Sequence, residues 1–144
     1  MSIQISTRAL AALALCTAAP AHATEPITAR AFETLSWSET PEGVAFAPLR
    51  GDRFAEAYMA MVRLPAGTVS PAHVKSATMF GIMLQGTMTH VAANADPSAA
   101  VALSEGAFYV VPAGLAHVSS CISDTACVTF LFQDGKFDFL PVGQ

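Results

Sequence analysis

Short apolar segments separated by turn-forming residues make up much of the chain, and this pattern constrains the fold more than any other feature. The apolar segments cover residues 79–84, 88–92, 101–103, 108–111, 118–122 and 128–132, and a Gly, Pro, Asn or Asp stands between each pair. Short strands at near-regular spacing, with turn signals between them and no long helical stretch, are typical of an all-β barrel or sandwich. The sequence therefore predicts an all-β fold.

The part of the chain before these segments is less regular. Residues 24–53 are interrupted by Pro41, Gly43 and Pro48, so we expect an extended N-terminal arm with one short strand at 44–46. Residues 55–64 predict a long strand, although periodicity alone also allows a helix. We expect an organisation with a leader at 1–23, the arm and first strand at 24–53, and a β-barrel at 54–144.

The first 23 residues have the pattern of a secretory signal peptide. A positive charge precedes an apolar run at 9–15, and Ala21 and Ala23 form an Ala-x-Ala cleavage site. The run is too short to remain as a membrane-spanning helix. We therefore expect an exported protein, periplasmic or secreted, that is cleaved after Ala23. The alternative is a buried N-terminal helix of the mature protein.

Composition and charge limit the class of partner. Without the leader about 120 residues remain, which is the length of one domain. Hydrophobic residues make up 53% of the chain and charged residues 12%, so a packed core is expected. The formal net charge is -4, and no cluster of Lys or Arg is present to follow a phosphate backbone. We expect no nucleic-acid partner and no membrane partner.

Two cysteines remain after removal of the leader, Cys121 and Cys127. In an oxidising compartment, two thiols close in sequence usually pair. They flank a mostly polar stretch, residues 122–126, that resembles a hairpin turn. The sequence predicts a disulfide that clamps one hairpin, and the alternative is two free buried thiols.

A motif near the C-terminal end carries more specific information. Gly106 is followed after five residues by Pro112-Ala-Gly114 and, after two more, by His117. This pattern resembles the second motif of the cupin superfamily, which is often followed four residues later by Asn. Cys121 stands at that position here. The resemblance implies a cupin-type (jelly-roll) β-barrel and extends over roughly residues 60 to 132.

The first cupin motif is matched only in part. Gly67, His73 and Gly86 stand at the expected spacing for a Gly, His-x-His, Glu and Gly pattern. Lys75 replaces the second His, and Met79 replaces the Glu. Segments 64–67, 70–73 and 133–137 also resemble bacterial single-domain cupins without an established reaction, so the resemblance implies a pocket but no activity.

The resemblance also implies where these side chains lie. Residues two apart on a strand face the same way, so His73 and Lys75 are expected to point inward, with His117 approaching from across the barrel. Three His and one Glu so placed hold a divalent metal in other cupins. Zinc sites usually need three protein ligands, and a nearby ammonium repels a dication. We expect a hard divalent metal to bind weakly at His73 and His117, unless Lys75 is neutral or turns away.

Softer donors suggest a second kind of metal. Met79 stands at the Glu position, Met83 and Met88 follow, and His90 alternates with Met88. Imidazole with thioether suits copper(I). The alternatives are that the methionines fill gaps in an apolar barrel and that His90 is structural.

Lys75 also permits a site without metal. A Lys and two His in an apolar pocket can hold a carboxylate or carbonyl compound, and burial would lower the Lys pKa. Alternatively, the Lys75 side chain reaches water at the barrel mouth.

These observations predict an exported cupin-domain protein that binds a small ligand or metal ion, with a pocket formed by His73, Lys75, Met79 and His117. The competing hypotheses are a metal-dependent enzyme of the dioxygenase or isomerase type, a periplasmic copper-binding protein, and a structural or assembly module. The resemblance also implies a homodimer that pairs through outer strands.

Overall fold

The computed structural model describes residues 25–142. The predicted signal peptide at 1–23 lies outside the described residues. Within them, no helix has the length and hydrophobicity needed to cross a membrane. The chain forms short 3₁₀ turns at Phe32–Thr34 and Pro97–Ala99 and these strands: β1 Ser38–Glu39, β2 Ala45–Arg50, β3 Tyr58–Leu64, β4 His73–Val74, β5 Met79–Gln85, β6 Met88–Ala92, β7 Phe108–Val111, β8 His117–Cys121, β9 Cys127–Gln133 and β10 Leu140–Pro141.

The strands form two antiparallel sheets. The larger sheet has six strands in the order β1-β2-β3-β9-β5-β7, and the smaller has four in the order β10-β4-β8-β6. The pairs β3–β9, β5–β9 and β6–β8 are long and regular in register apart from one shift in β5. This arrangement confirms the predicted all-β class and the cupin fold.

Strand β3 is shorter than predicted because a turn precedes it. The carbonyl of Asp52 accepts hydrogen bonds from the backbone N–H groups of Ala55 and Glu56, each at 3.0 Å. The Asp52 side chain also accepts from the N–H of Phe54 at 2.9 Å. The chain therefore remains turned over residues 52–56, and β3 begins at Tyr58 instead of at residue 55.

Two other segments also differ from the sequence prediction. The strand expected at 44–46 continues as β2 to Arg50 and pairs with β3, with a register shift between Pro48 and Arg50 where proline has no N–H to donate. The segment 101–103 is not a strand, because only Leu103 reaches the sheet, through a bridge to Met88. Shortly before this segment, residues 97–99 form the 3₁₀ turn that Asp96 caps.

The core lies between the two sheets and follows the alternation of the strands. On β3, Tyr58, Ala60, Val62 and Leu64 are buried, whereas Met59 and Arg63 between them are exposed. Burial of a Val, Leu or Met side chain stabilises the fold by about 1.5–3 kcal/mol. The same alternation on β4 and β8 directs polar side chains into this interior.

Gly81 lets a tyrosine lie flat across β5. A Cβ at this position would be 2.1 Å from Cζ of Tyr109, so no larger residue fits without displacing that ring. The Tyr109 hydroxyl lies 3.1 Å from Oγ1 of Thr129, and the ring centroid lies 4.2 Å from that of His90. The glycine thus helps to position a histidine of the interior.

The predicted Cys121–Cys127 disulfide is confirmed, with a Cα–Cα distance of 5.8 Å. The expectation that it clamps one hairpin is wrong. Cys121 ends β8 in the four-stranded sheet, and Cys127 begins β9 in the six-stranded sheet. The short connection crosses between the layers, so the disulfide joins the two sheets.

Candidate functional site

Three histidines converge on the four-stranded sheet. His73 on β4 is the register partner of His117 on β8, and their ring centroids are 4.2 Å apart. His90 on β6 pairs with Ser119, two residues along β8 from His117. Diagonal neighbours of this kind share a face, and the ring centroids of His90 and His117 are 6.3 Å apart. The fold therefore groups His90 with the two motif histidines.

Backbone turns before β4 and β8 orient two of these rings. Nδ1 of His73 lies 2.9 Å from the carbonyl oxygen of Pro71, and Nδ1 of His117 lies 3.0 Å from that of Leu115. Because a carbonyl oxygen only accepts, each Nδ1 carries a proton and donates it. In the neutral ring, Nε2 then has a free lone pair, which is the tautomer that binds a metal through Nε2.

The Nε2 atoms of His90 and His117 are buried and have no hydrogen-bond partner among the described residues. Nδ1 of His90 lies 2.9 Å from Oγ of Ser119, a hydroxyl that can donate or accept. A buried polar atom without a partner costs free energy. These two atoms are therefore where a bound group would gain most from a hydrogen bond or a coordinate bond.

The histidine rings are neutral at ordinary pH. Burial lowers the pKa of His73 and of His90 to about 4, and it also lowers the pKa of His117. The neighbouring histidines lower the values further for His73 and His90, because two adjacent rings resist carrying charge together. The cluster therefore presents neutral lone-pair donors.

Lys75 points inward but does not direct its ammonium to the histidines. Only 6% of the residue is exposed, so the alternative in which its side chain reaches water at the barrel mouth is wrong. Its Nζ donates to the carbonyl oxygen of Asp138 at 2.6 Å and lies 4.0 Å from the ring centroid of Phe137. Burial lowers its pKa to about 8, so most of the population stays charged at pH 7.

The remaining candidate donors have other surroundings. Met79 is buried in the apolar core with Met83 and Met88, as expected if the methionines fill the barrel. Glu56, which could have supplied a carboxylate, is exposed, and its Oε1 accepts from the N–H of Asp52 at 3.2 Å.

A C-terminal segment that sequence reasoning missed closes the site. Phe139 stacks on His73 with ring centroids 4.0 Å apart and planes within 16°, and β10 pairs with β4. His73 and His117 are consequently only 3% and 1% exposed. The alternation of Phe137 and Phe139 is the sequence signal that could have indicated an extended segment with one face on the site.

The ordinary cupin metal site does not fit this chain. Among residues 25–142, no group of three or more His, Cys, Asp or Glu side chains is arranged to hold a metal ion. Lys75 and Met79 occupy the positions of the second His and the Glu. The donors that remain suited to a metal are the neutral imidazoles, and they are fewer than a four-ligand site requires.

The fold and the motifs agree with a comparison of protein families. Residues 27–136 match the ChrR cupin-like domain. The chain belongs to this cupin family. A search of curated proteins found no significant match.

Solved structures support the same fold. The cupin is similar to the polyketide cyclase RemF from Streptomyces resistomycificus, with a TM-score of 0.65 and 13% identity over 83% of this chain and 87% of that chain. It is similar to the Schizosaccharomyces pombe Cnp3 cupin domain, with a TM-score of 0.61 and 16% identity over 77% and 71%. It also resembles a chain of Rhodobacter sphaeroides SigE in complex with the anti-sigma ChrR, with a TM-score of 0.58 and 21% identity over 73% and 52%. Identities this low show a shared fold alone.

Proposed function

We propose that this protein is an exported cupin-domain protein that binds a small ligand inside the barrel, and that the ligand is copper(I). The imidazoles of His73 and His117 are the proposed donors, with His90 beside them. The observation that carries the proposal is the buried Nε2 of His117, which has no partner among the described residues while its Nδ1 donates to a carbonyl. A coordinated metal ion would satisfy this atom.

Coordination number favours copper(I) over zinc or iron(II). Zinc sites in proteins usually have at least three protein ligands, and non-haem iron uses two His and a carboxylate. Copper(I) accepts imidazole and thioether donors and is stable with few of them. A donor set of neutral imidazoles without a carboxylate therefore suits a monovalent, soft ion better than a hard dication.

Charge favours the same choice. Lys75 keeps its ammonium near the site, and the repulsion of a metal ion is proportional to the charge of that ion. A monovalent ion meets half the repulsion of a divalent one. When bound, copper would supply a coordinate bond and a site for electron transfer, and this chain's residues would hold the ion and exclude water from it.

The metal-dependent enzyme and the metal-free binding pocket remain as alternatives with distinct requirements. A dioxygenase or isomerase would need a tightly held divalent ion. A carboxylate-binding pocket would need the Lys75 ammonium free, whereas it already donates to Asp138 and lies over Phe137. Binding of copper(I) is therefore the hypothesis that requires the least rearrangement.

The test is a competition titration of the mature chain, residues 24–144, with copper(I) and a chromophoric chelator under reducing-agent-free, anaerobic conditions. We expect one copper(I) per chain and a loss of affinity of about 100-fold or more for His73→Asn or His117→Asn. Met59→Leu, which changes an exposed methionine, is the matched control and should bind as the parent does.

Two results would contradict the proposal. The first is the absence of stoichiometric copper(I) binding in the parent protein. The second is tight, stoichiometric zinc or iron that is lost in His73→Asn, which would mean that another group completes a site for a divalent metal. Loss of copper(I) in Met79→Leu but not in Met59→Leu would add a thioether to the donors.

The proposal includes export, which rests on the charged start, the apolar run and the Ala21-x-Ala23 site. Exported protein should begin at Thr24 or within a residue or two of it. Intact mass spectrometry decides the point, because a mature protein that still carries residues 1–23 is incompatible with cleavage.

We also propose a homodimer formed through the edge of the six-stranded sheet. On β5 and β7, Ile82, Phe108 and Val110 are exposed large apolar residues, and Ile82 is the register partner of Phe108. Light scattering should give a dimeric mass that Phe108→Lys reduces to a monomer, while Val101→Lys, an exposed site outside these strands, leaves it unchanged. A monomeric parent protein would show that this edge does not pair.

A further inference from the structure

A cavity in another part of the fold is built from residues outside the histidine site. It has a volume of about 420 Å³ and lies between β2, β3 and the turn at residues 51–54. This volume is within the range of small-molecule sites, roughly 300–1,000 Å³. Phe46, Phe54 and Tyr58 supply much of its wall, and Arg53 and Ser38 supply polar groups.

The guanidinium of Arg53 is enclosed by aromatic rings. Its Cζ lies 4.1 Å from the ring centroid of Phe46, 4.4 Å from that of Phe54 and 5.1 Å from that of Phe137. A guanidinium is attracted to the face of an aromatic ring in contacts of this kind, and its N–H donors lie in its own plane. The rings therefore fix the orientation of the group without using its hydrogen-bonding capacity.

Arg53 has an unused donor inside the protein. Its Nη1 is buried and has no hydrogen-bond partner among the described residues. Within residues 25–142 the ion pair that the structure shows joins Arg50 and Glu25. No carboxylate of these residues therefore lies within 4.0 Å of the Arg53 guanidinium to neutralise it. Asp52 also lines the cavity, but it is exposed and its Oδ1 accepts from the N–H of Phe54 at 2.9 Å.

We propose that this cavity binds a small organic carboxylate with a ring-sized apolar body. The carboxylate would accept hydrogen bonds from the in-plane N–H groups of Arg53, a pairing that is stronger than one between neutral groups and is often bidentate. The apolar body would pack against Phe46 and Phe54. An inorganic anion would leave these apolar walls unused, so an organic acid is the better match.

The carboxylate site is independent of the proposed copper site. Phe137 stands between them, since its ring contacts both the Arg53 guanidinium at 5.1 Å and the Lys75 ammonium at 4.0 Å. Its backbone N–H also donates to the carbonyl of Arg53, which ties the C-terminal segment to the cavity wall. Failure of copper binding would therefore leave the carboxylate proposal standing, and the reverse also holds.

Benzoate and its uncharged analogue benzamide provide the test, with NMR titration of the labelled mature chain as the measurement. We expect saturable benzoate binding with a Kd of about 1 mM or tighter, and binding of benzamide weaker by about tenfold or more. Arg53→Met should weaken benzoate to the same extent. Arg63→Met is the matched control, because Arg63 also stacks on an aromatic ring, Trp37 at 4.7 Å, but is exposed and outside the cavity.

Intermolecular contacts between benzoate ring protons and Phe54 or Tyr58 in the parent protein decide the location without relying on a variant. The proposal is overturned if benzoate does not saturate, if benzamide binds equally well, or if Arg53→Met binds benzoate like the parent. It is also overturned if sulfate displaces benzoate at equal concentration, since the apolar walls would then contribute nothing. If Arg53→Met fails to fold, Arg53→Lys, which keeps the charge and loses the planar donors, should weaken benzoate by about tenfold.

Discussion

Replacing Lys75 with leucine is expected to strengthen metal binding at the histidine cluster, and to do so by different factors for ions of different charge. Lys75 is buried, its ammonium donates to the carbonyl of Asp138, and its pKa of about 8 leaves it mostly charged at pH 7. Leucine fills a similar apolar space, carries no charge and adds no metal ligand. Any gain in affinity then reports the removal of electrostatic repulsion.

The size of the effect depends on the distance between the Lys75 ammonium and the bound ion, for which we take the order of the backbone spacing between Lys75 and His73. His73 and Lys75 are two residues apart in an extended segment, a backbone separation of about 7 Å. At an effective dielectric constant of about 20, two unit charges at that distance repel by about 2.4 kcal/mol, and a dication by about 4.7 kcal/mol. At 1.4 kcal/mol per factor of ten, copper(I) should bind about 50-fold more tightly and zinc about 2,000-fold more tightly.

The assay is a pair of chelator-competition titrations, one with copper(I) and one with zinc, on the parent, Lys75→Leu and Lys75→Arg. Both ions have filled d shells, so the comparison isolates charge and donor preference. The logarithm of the gain for zinc should be about twice that for copper(I), and Lys75→Arg should gain neither. Equal gains for the two ions, or no gain for either in a variant with unchanged thermal unfolding, would refute the electrostatic reasoning.

Three further outcomes are expected. The double variant Lys75→His, Met79→Glu should bind zinc, nickel or iron(II) more tightly than either single variant, because it restores two donors and removes the ammonium. Calorimetric titration measures this, and a double variant that binds no more tightly than the single variants would contradict it. Replacing Cys121 and Cys127 with Ser should lower the free energy of unfolding in urea by about 2 kcal/mol for a loop of this length, and an unchanged value would exclude a stabilising role. Burial holds the pKa of His90 at about 4, below its usual value of 6.5, so the unfolded chain takes up the proton first as pH falls from 6.5 to 4. In metal-free protein this residue alone should lower the free energy of unfolding by up to about 3 kcal/mol over that window and by nothing above it, and the buried His73 and His117 add to that loss. His90→Gln should therefore reduce, without abolishing, the slope of the free energy of unfolding against pH.

Several features of this protein could be predicted from the sequence because they depend on local pattern. The apolar segments 88–92 and 108–111 have the same bounds as strands β6 and β7 in the structure. Such short strands are predictable because apolar segments and flanking turn residues determine local structure over a few positions. The resemblance to the two cupin motifs was enough to predict that His73 and His117 meet, and the structure gives them a centroid distance of 4.2 Å. The expectation that His117 approaches from across the barrel is wrong, because β4 and β8 are neighbours in the same sheet. The disulfide partners were also predictable, because two cysteines have one way to pair.

Other features depended on the packing of elements that are distant in the chain. His90 joins the cluster only because β6 lies beside β8, and Gly81 lets Tyr109 pack against its ring. The disulfide joins two sheets because the connection after β8 crosses between layers, a fact that sequence separation does not contain.

The direction of the Lys75 side chain is the clearest case in which only tertiary structure decided the chemistry. Its spacing from His73 was enough to predict that it points inward, and it does. The C-terminal segment, 62 and 63 residues away, determines where its charge goes, with a ring at Phe137 and a carbonyl at Asp138. Local periodicity determines the face of a strand on which a side chain lies. The partners it meets there depend on long-range contacts, because a buried charge adopts the position in which its hydrogen bonds are satisfied.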